Sequence, residues 1–409
     1  MTGATAEPAG LGRRAVLGSS AAVGGLAVGS TLGWFGGQAG SPAAPVTPEA
    51  VIRQRYSPHE LHQAGISTPT PAVTRLLSFR LRTPRVAAEL TKLLRLWSGD
   101  IEALMAGAPI PGDTAPDMAQ AGVSLSVTVG LGPRVFELPG LASRRPSGYV
   151  EVPAMAHDRL QDRWSGGDVL AIVAADDPTT VAYASRRLER DAATFATLAW
   201  VQGGSWRGTD SAGQPVTGRN LFGQLDGTAN PSGADLEAVV WASGPAWFAG
   251  GTTLVVRRIE LDLDFWDATT RERQEKVIGR RLDSGAPLTG SHERDDLDLT
   301  ALDAAGRPLI ALDAHARRAH PSVNGGRRIL RRGLNYTHTE GGHRGVVPSA
   351  GLVFLSFQAD LANQYLPLQT SLDQRDALHD WTATIGSAVF AIPPGFGPGD
   401  WLARGLFEP

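Results

Sequence analysis

Apolar residues in the first half of the chain follow first a strand pattern and then a helix pattern. Residues 73–81 are rich in β-branched and aliphatic side chains, and residues 85–105 carry apolar side chains at helical spacing. Two strands, a helix and a further strand follow, over residues 124–129, 169–174, 178–193 and 198–202. The predicted order of elements is therefore β-α-β-β-α-β.

The same order recurs in the second half of the chain. The pattern predicts strands over residues 253–261, 328–336, 352–358 and 388–392, with helices over residues 270–281 and 361–372. A repeated β-α-β-β-α-β order is typical of ferredoxin-like units. We therefore predict an α+β fold class, with two ferredoxin-like halves and antiparallel sheets, divided into residues 1–44, 45–221 and 222–409.

Composition excludes several classes of protein. The 409 residues are 42% hydrophobic and 19% charged, which fits a folded protein. The net charge of −3 provides no overall basic field for nucleic acid, so none is expected as a partner. The absence of cysteine excludes disulfides, iron–sulfur clusters and a cysteine nucleophile. Lysine chemistry is restricted to Lys92 and Lys276.

The amino terminus has the pattern of an export signal. Arg13 and Arg14 precede a run rich in Ala, Gly and Val that carries no charge up to Gly40, and a Pro-rich stretch follows. This predicts a twin-arginine signal over residues 1–44, with the mature protein in the periplasm, the cell envelope or outside the cell. The alternative is a transmembrane anchor, but the run is only weakly apolar. No stable membrane span is expected after the signal is removed.

Three segments carry candidate chemistry. In the first, His315 precedes Arg317 and Arg318, which could serve an anionic ligand, although a solvated basic loop has the same composition. In the second, Gly223 and Gly227 flank Asp226, so the backbone could approach a flat ligand with the carboxylate aimed at it. The alternative for the second segment is an ordinary turn between the halves.

The third segment is a strand with alternating arginines. Arg331, Gly333 and Asn335 share one face, and Leu330, Arg332 and Leu334 share the other. A glycine inside a strand often marks the close approach of a ligand, which favours the face that carries Arg331. The alternative is an edge strand whose arginines reach solvent.

Together these segments resemble the dye-decolorising peroxidase family, haem enzymes built from two ferredoxin-like halves. The family's Gly-x-x-Asp-Gly motif matches residues 223–227, and its Thr-x-Asn-Pro continuation matches residues 228–231. Its proximal histidine motif resembles residues 315–321, with His320 where asparagine is usual. Its distal arginine segment matches residues 331–336, and its apolar distal wall resembles residues 351–358.

The resemblance implies a site with haem b in the C-terminal half. His315 would be the only protein ligand of the iron, Asp226 would transfer a proton and Arg331 would stabilise the departing oxygen of the peroxide. A carboxylate, Asp376 or alternatively Asp373, would support His315. Further contacts would come from the distal wall and the two motifs, namely Leu355, Phe357, Gly227, Thr228 and Arg317.

The implied function is that of a haem peroxidase. Such an enzyme reduces hydrogen peroxide and oxidises dyes or other organic or metal electron donors through a ferryl intermediate. Two alternatives remain at this point: release of iron from haem during iron uptake, as in a deferrochelatase, and a non-catalytic exported haem carrier. A homo-oligomer is compatible with the sequence.

Overall fold

The computed structural model describes residues 54–83, 85–118, 123–342 and 345–408. The export signal predicted over residues 1–44 lies outside the described residues. No helix within the described ranges is both long and apolar enough to cross a membrane.

Within the described residues, eight strands alternate with helices. The strands are β1 (Val73–Leu81), β2 (Ser126–Leu131), β3 (Val169–Ala175), β4 (Ala196–Ser205), β5 (Thr252–Leu261), β6 (Leu330–Gly342), β7 (Gly345–Gln358) and β8 (Thr382–Ile392). Each predicted strand overlaps one of these. The β6–β7 hairpin is longer than predicted, because pairing continues from Thr337, opposite Ala350, to Gly342, opposite Gly345.

The helices differ more from the prediction than the strands do. They are α1 (Ala87–Ala106), α2 (Pro178–Ala192), α3 (Ala234–Val240), α4 (Leu263–Asp267), α5 (Arg271–Ile278), α6 (His315–Ala319), α7 (Leu366–Arg375) and α8 (Arg404–Phe407). The helix predicted over residues 270–281 is shorter, because Thr270 caps its start and Gly279, with φ of 86°, ends it in the left-handed region. The helix predicted over residues 361–372 begins as a π-helical turn, Leu361–Tyr365.

The eight strands form one closed sheet in the order β1-β3-β2-β8-β5-β7-β6-β4. Neighbouring strands are antiparallel, which confirms the predicted mixture of helices and antiparallel sheet. Within each run of four strands the pairing order is the same: fourth, first, third, second. The two runs meet through Leu131 opposite Ala391 and through Ser205 opposite Asn335.

The core determines where a ligand site can lie. Apolar side chains from strands of both halves meet inside the closed sheet, among them Leu76, Trp200 and Phe357. A second cluster covers the outer face of the N-terminal strands with α1 and α2, including Leu90 and Trp97. The outer face of the C-terminal strands instead borders a cavity.

Candidate active site

The cavity lies between β5–β7 and the elements α5, α6 and α7. Its empty space, including the open mouth, is about 1510 Å³. The structure brings five residues predicted from separate segments to its wall, namely Asp226, Thr228, His315, Arg331 and Asp376. Segments that are nearly 150 positions apart in the sequence therefore meet at one cavity.

His315 and Asp376 form a hydrogen-bonded pair on one side of the cavity. His315 begins the short helix α6, and its Nδ1 lies 2.6 Å from Oδ2 of Asp376. A carboxylate at this distance accepts the proton on Nδ1, so the lone pair of the neutral ring is on Nε2. Within the described residues, Nε2 makes no hydrogen bond. This imidazole therefore offers one nitrogen to a ligand and is held by the other.

The charge of Asp376 makes His315 more basic. Burial alone lowers the pKa of the imidazole, but the neighbouring carboxylate outweighs it, so the pKa is raised above the ordinary value. Burial likewise raises the pKa of Asp376, but the pairing with His315 holds it below the ordinary value. Arg331 lowers and Asp226 raises the pKa of His315, so both groups act on the ring electrostatically.

His320 is engaged differently. Its Nδ1 lies 2.8 Å from the hydroxyl of Ser322, and its Nε2 lies 2.9 Å from Oδ1 of Asp296. Both ring nitrogens are therefore occupied, although the side chain also borders the cavity. Asp373, the alternative partner of His315, instead accepts backbone N–H groups of Ala156 and His157.

A tight loop presents Asp226. Gly223 and Gly227 have φ of 80° and 114°, conformations that other residues rarely adopt. Between them the amide of Asp226 donates to the carbonyl of Gly218 at 2.9 Å. Asn230 then fixes the loop to β6, because its side chain accepts from the amide of Arg331 at 3.0 Å and donates to the same residue's carbonyl at 2.7 Å.

Arg331 lies beside Asp226 on the cavity side of β6. Its Nη1 is 3.4 Å from Oδ1 of Asp226, and both side chains are partly buried. Arg332 points to the other face, where its buried guanidinium donates to the carbonyls of Gly65, Ile66 and Thr68. The predicted division of faces is therefore observed. Gly333 lies close to both Leu352 and Trp206, since a Cβ there would lie 3.1 Å from Cδ1 of Leu352 and 3.2 Å from the indole.

The apolar residues that border the cavity differ from the ones that were predicted. Leu355 and Phe357 are 3% and 1% exposed and pack inside the closed sheet, away from the cavity. Leu352 and Phe354, on the opposite face of β7, border the cavity instead. The physical reason is the hairpin register: Arg331 pairs with Ser356, so even-numbered residues of β7 share its face.

Two further predicted contacts lie elsewhere. Nη1 of Arg317 donates to the carbonyls of Leu299 and Ile310, so this guanidinium braces α6 against the preceding loop rather than bordering the cavity. Gly227 borders a second cavity, beside Asp226. Thr228 borders the first cavity, but its hydroxyl donates to Glu293 at 2.9 Å.

Comparison with known proteins agrees with this geometry. Residues 63–205 match the family model "Dyp-type peroxidase, N-terminal", and residues 217–396 match "Dyp-type peroxidase, C-terminal". The chain belongs to the Dyp-type peroxidase family. It is 36% identical to the dye-decolorizing peroxidase of Thermobifida fusca, with 100% of each protein covered. It is 32% identical to a deferrochelatase of Yersinia pestis, over 97% of this chain and 94% of that one.

Solved structures of Dyp-type peroxidases share the fold. The crystal structure of the enzyme from Cellulomonas bogoriensis is 40% identical, has a TM-score of 0.83 and covers 88% of this chain and 99% of its own. The protein is accordingly a haem-dependent peroxidase, and haem b is the usual cofactor of its family. The residues at the cavity fit haem. Nε2 of His315 is free to bind iron, and Arg331 and Asp226 lie at the same cavity.

Several residues of this Dyp-type site were not predicted. A second, polar cavity of about 1350 Å³, including its open mouth, shares Leu225, Asp226 and Arg331 with the first. Glu293 borders it and accepts hydrogen bonds from the hydroxyls of Thr217 and Thr228. Arg280 borders the first cavity, and burial together with Arg331 lowers its pKa. No sequence motif singles out Glu293 or Arg280.

Proposed function

We propose that this protein reduces hydrogen peroxide to water with electrons from an organic or metal donor, at haem b bound in the C-terminal half. The main support for this proposal is that the His315–Asp376 pair and the Asp226–Arg331 pair border one cavity. The balanced reaction consumes one peroxide, two protons and two electrons and forms two water molecules. We also propose that each half is a ferredoxin-like unit, on the basis of the shared strand order.

Haem supplies the iron that binds and reduces peroxide. Nε2 of His315 would hold the iron, and Asp376 would keep the ring oriented with its proton on Nδ1. The carboxylate increases the electron donation of the imidazole, in keeping with the raised pKa of His315. Asp376 acts through His315 and is therefore a positioning residue.

Asp226 and Arg331 would perform the proton transfer and the charge stabilisation. A carboxylate oxygen of Asp226 takes a proton from one oxygen of the peroxide and delivers it to the other, which leaves as water. The guanidinium of Arg331 stabilises the negative charge that develops on the departing oxygen. Leu352 and Phe354, which replace the predicted wall residues Leu355 and Phe357, exclude water from the cavity beside Arg331.

The second cavity suggests a route for peroxide. It is polar, and it meets the first cavity at Asp226 and Arg331. A small polar oxidant that enters there reaches the carboxylate and the guanidinium first. A larger donor, such as a dye, needs another point of contact, and its electrons then travel through the protein.

Release of iron from haem is the second candidate function, because deferrochelatases share about a third of their residues with this chain. A single experiment separates the two functions. Purified haem-loaded protein is mixed with one equivalent of peroxide and then with an electron donor. A peroxidase changes its haem spectrum, recovers the ferric spectrum on addition of the donor and keeps its iron. Appearance of iron-free porphyrin fluorescence would favour iron release instead. A haem carrier would show neither change.

We further propose that residues 1–44 direct export by the twin-arginine route. Support comes from Arg13 and Arg14 and from the uncharged run that follows them. Replacing both arginines by lysine should retain the protein in the cytoplasm with its signal uncleaved. Efficient export of the double variant would show that another route is used.

A further inference from the structure

Three potential metal ligands lie together at the edge of the cavity, separate from the His315–Asp376 pair. They are His157, Asp373 and His379, which we call the rim cluster. One ligand atom from each lies within 4.8 Å of those of the other two. His157 belongs to a loop of the first half, Asp373 lies in α7, and His379 lies in the turn that follows α7. The chain therefore brings two imidazoles and one carboxylate together from two segments that are distant in the sequence.

His379 is oriented for metal binding. Its Nε2 lies 3.1 Å from the carbonyl oxygen of Leu372. A carbonyl can only accept, so Nε2 carries the proton and Nδ1 of the neutral ring keeps a free lone pair. Histidine ligands of metals commonly donate their other N–H to a backbone carbonyl in this way, which fixes both the tautomer and the ring plane.

Asp373 fixes the loop that carries His157. Its two carboxylate oxygens accept the backbone amides of Ala156 at 3.1 Å and of His157 at 3.3 Å. Each oxygen of an ionised carboxylate has more than one acceptor position, so these bonds leave room for a cation. The carboxylate thus places the histidine next to itself before any ion is present.

The imidazole of His157 is available as the third ligand of a metal ion. It is stacked on His379, with ring centroids 4.0 Å apart and planes 15° apart. It is exposed, and within the described part of the chain its ring nitrogens make no hydrogen bond. A rotation about its side-chain bonds can therefore bring a nitrogen towards an ion at the cost of the stacking contact alone.

We propose that the rim cluster binds one divalent first-row transition cation of the Zn²⁺ type. Two imidazole nitrogens and one carboxylate oxygen suit this class, whereas Mg²⁺ and Ca²⁺ prefer oxygen ligands alone. Three protein ligands leave a fourth position for water. Asp373 supplies negative charge at this point, which favours a cation.

The bound cation would connect the two halves of the protein. His157 lies next to Asp158, which pairs with buried Arg257 of β5 and forms a bridge to Thr384 of β8. An ion held by His157, Asp373 and His379 adds a link between this loop and α7. A ligand that binds only the folded state stabilises it, so Zn²⁺ should raise the melting temperature.

Zn²⁺ binding to the purified haem-loaded protein tests this proposal, with titration calorimetry in metal-free buffer as the measurement. We expect one Zn²⁺ per chain in the wild type and at least about tenfold weaker binding in His157→Ala and in His379→Ala. His157 is exposed, so its replacement removes the stacking on His379 but no buried core contact. His292→Ala is the matched control, because His292 is an exposed histidine 3.7 Å from a carboxylate, that of Asp295.

The results expected with and without a metal site at the rim cluster differ. Loss of the site in the two rim variants, with unchanged binding in His292→Ala, supports the proposal, and the rise in melting temperature should be lost in the same two variants. Absence of stoichiometric Zn²⁺ binding in the wild type would overturn it. So would equal binding by wild type and His157→Ala, or equal weakening in the His292→Ala control. Neither result depends on peroxidase activity.

Discussion

Replacing Arg331 by leucine tests the chemistry of the proposed site most directly. Leucine removes the guanidinium 3.4 Å from Asp226 and keeps much of the aliphatic volume. Asn230 donates to the backbone carbonyl of residue 331 and accepts from its backbone amide, so both hydrogen bonds persist in the variant. The loop that carries Asp226 therefore stays attached to β6.

The magnitudes separate a catalytic effect from a structural one. Loss of a partly exposed ion pair costs about 1 kcal/mol of folding free energy or less. Loss of one preorganised group that stabilises developing charge typically costs about 100- to 1,000-fold in rate, or roughly 3 to 4 kcal/mol of activation free energy. We therefore expect Arg331→Leu to react with peroxide at least about 100-fold more slowly while its melting temperature and haem content change little.

The assay is stopped-flow mixing of haem-loaded protein with hydrogen peroxide, followed by haem absorbance. Arg328→Leu is the matched control, since Arg328 also forms an ion pair, with Asp235 at 2.6 Å, but does not border the cavity. It should react at the wild-type rate. A near wild-type rate in Arg331→Leu, with haem still bound, would refute the role proposed for this residue.

Three other changes have defined outcomes. Asp376→Asn removes the carboxylate from His315 and should weaken haem binding by about 10- to 100-fold, measured as the rate of haem transfer to an acceptor protein. Asn230→Ala removes both bonds to the Arg331 backbone and should slow the peroxide reaction without altering haem content, by the same stopped-flow assay. Burial raises the pKa of Asp191 to about 8, from an ordinary 3.8. The folded state therefore binds the extra proton, and the free energy of unfolding should fall as pH rises from about 4 to 8. Urea titrations at pH 5 and pH 8 should show this fall in the wild type and a smaller one in Asp191→Asn.

The strand pattern was predictable because it depends on local periodicity. The two repeated runs of elements follow from residue alternation within each strand, and antiparallel pairing is expected from their ferredoxin-like order. Closure of the sheet was not predictable, because it rests on contacts such as Leu131 with Ala391, which are about 260 positions apart. Neither residue differs in kind from its neighbours in the sequence.

Site residues that belong to a sequence motif could be predicted from the sequence. Residues whose orientation depends on the register of a strand could not. Asp226 needs flanking glycines in left-handed conformations, and that requirement is visible in the sequence. The cavity wall depends on which residues of β7 lie opposite Arg331. A one-residue shift in register exchanges the faces, and the resemblance that gave Leu355 and Phe357 does not fix the register. Knowing that Gly342 pairs with Gly345 fixes the correct face.

The position of the cavity follows from the difference between two similar halves. On the N-terminal strands, α1 with 20 residues and α2 with 15 pack buried apolar side chains against the sheet. On the C-terminal strands, α5 has 8 residues, of which Gln274, Val277 and Ile278 are buried, and α7 has 10, of which Leu368 is buried. These helices are too short and too polar to cover the outer face of the sheet. The same strand order therefore produces a closed core in one half, and in the other half a cavity where a strand arginine, a loop carboxylate and a helix histidine can meet one ligand.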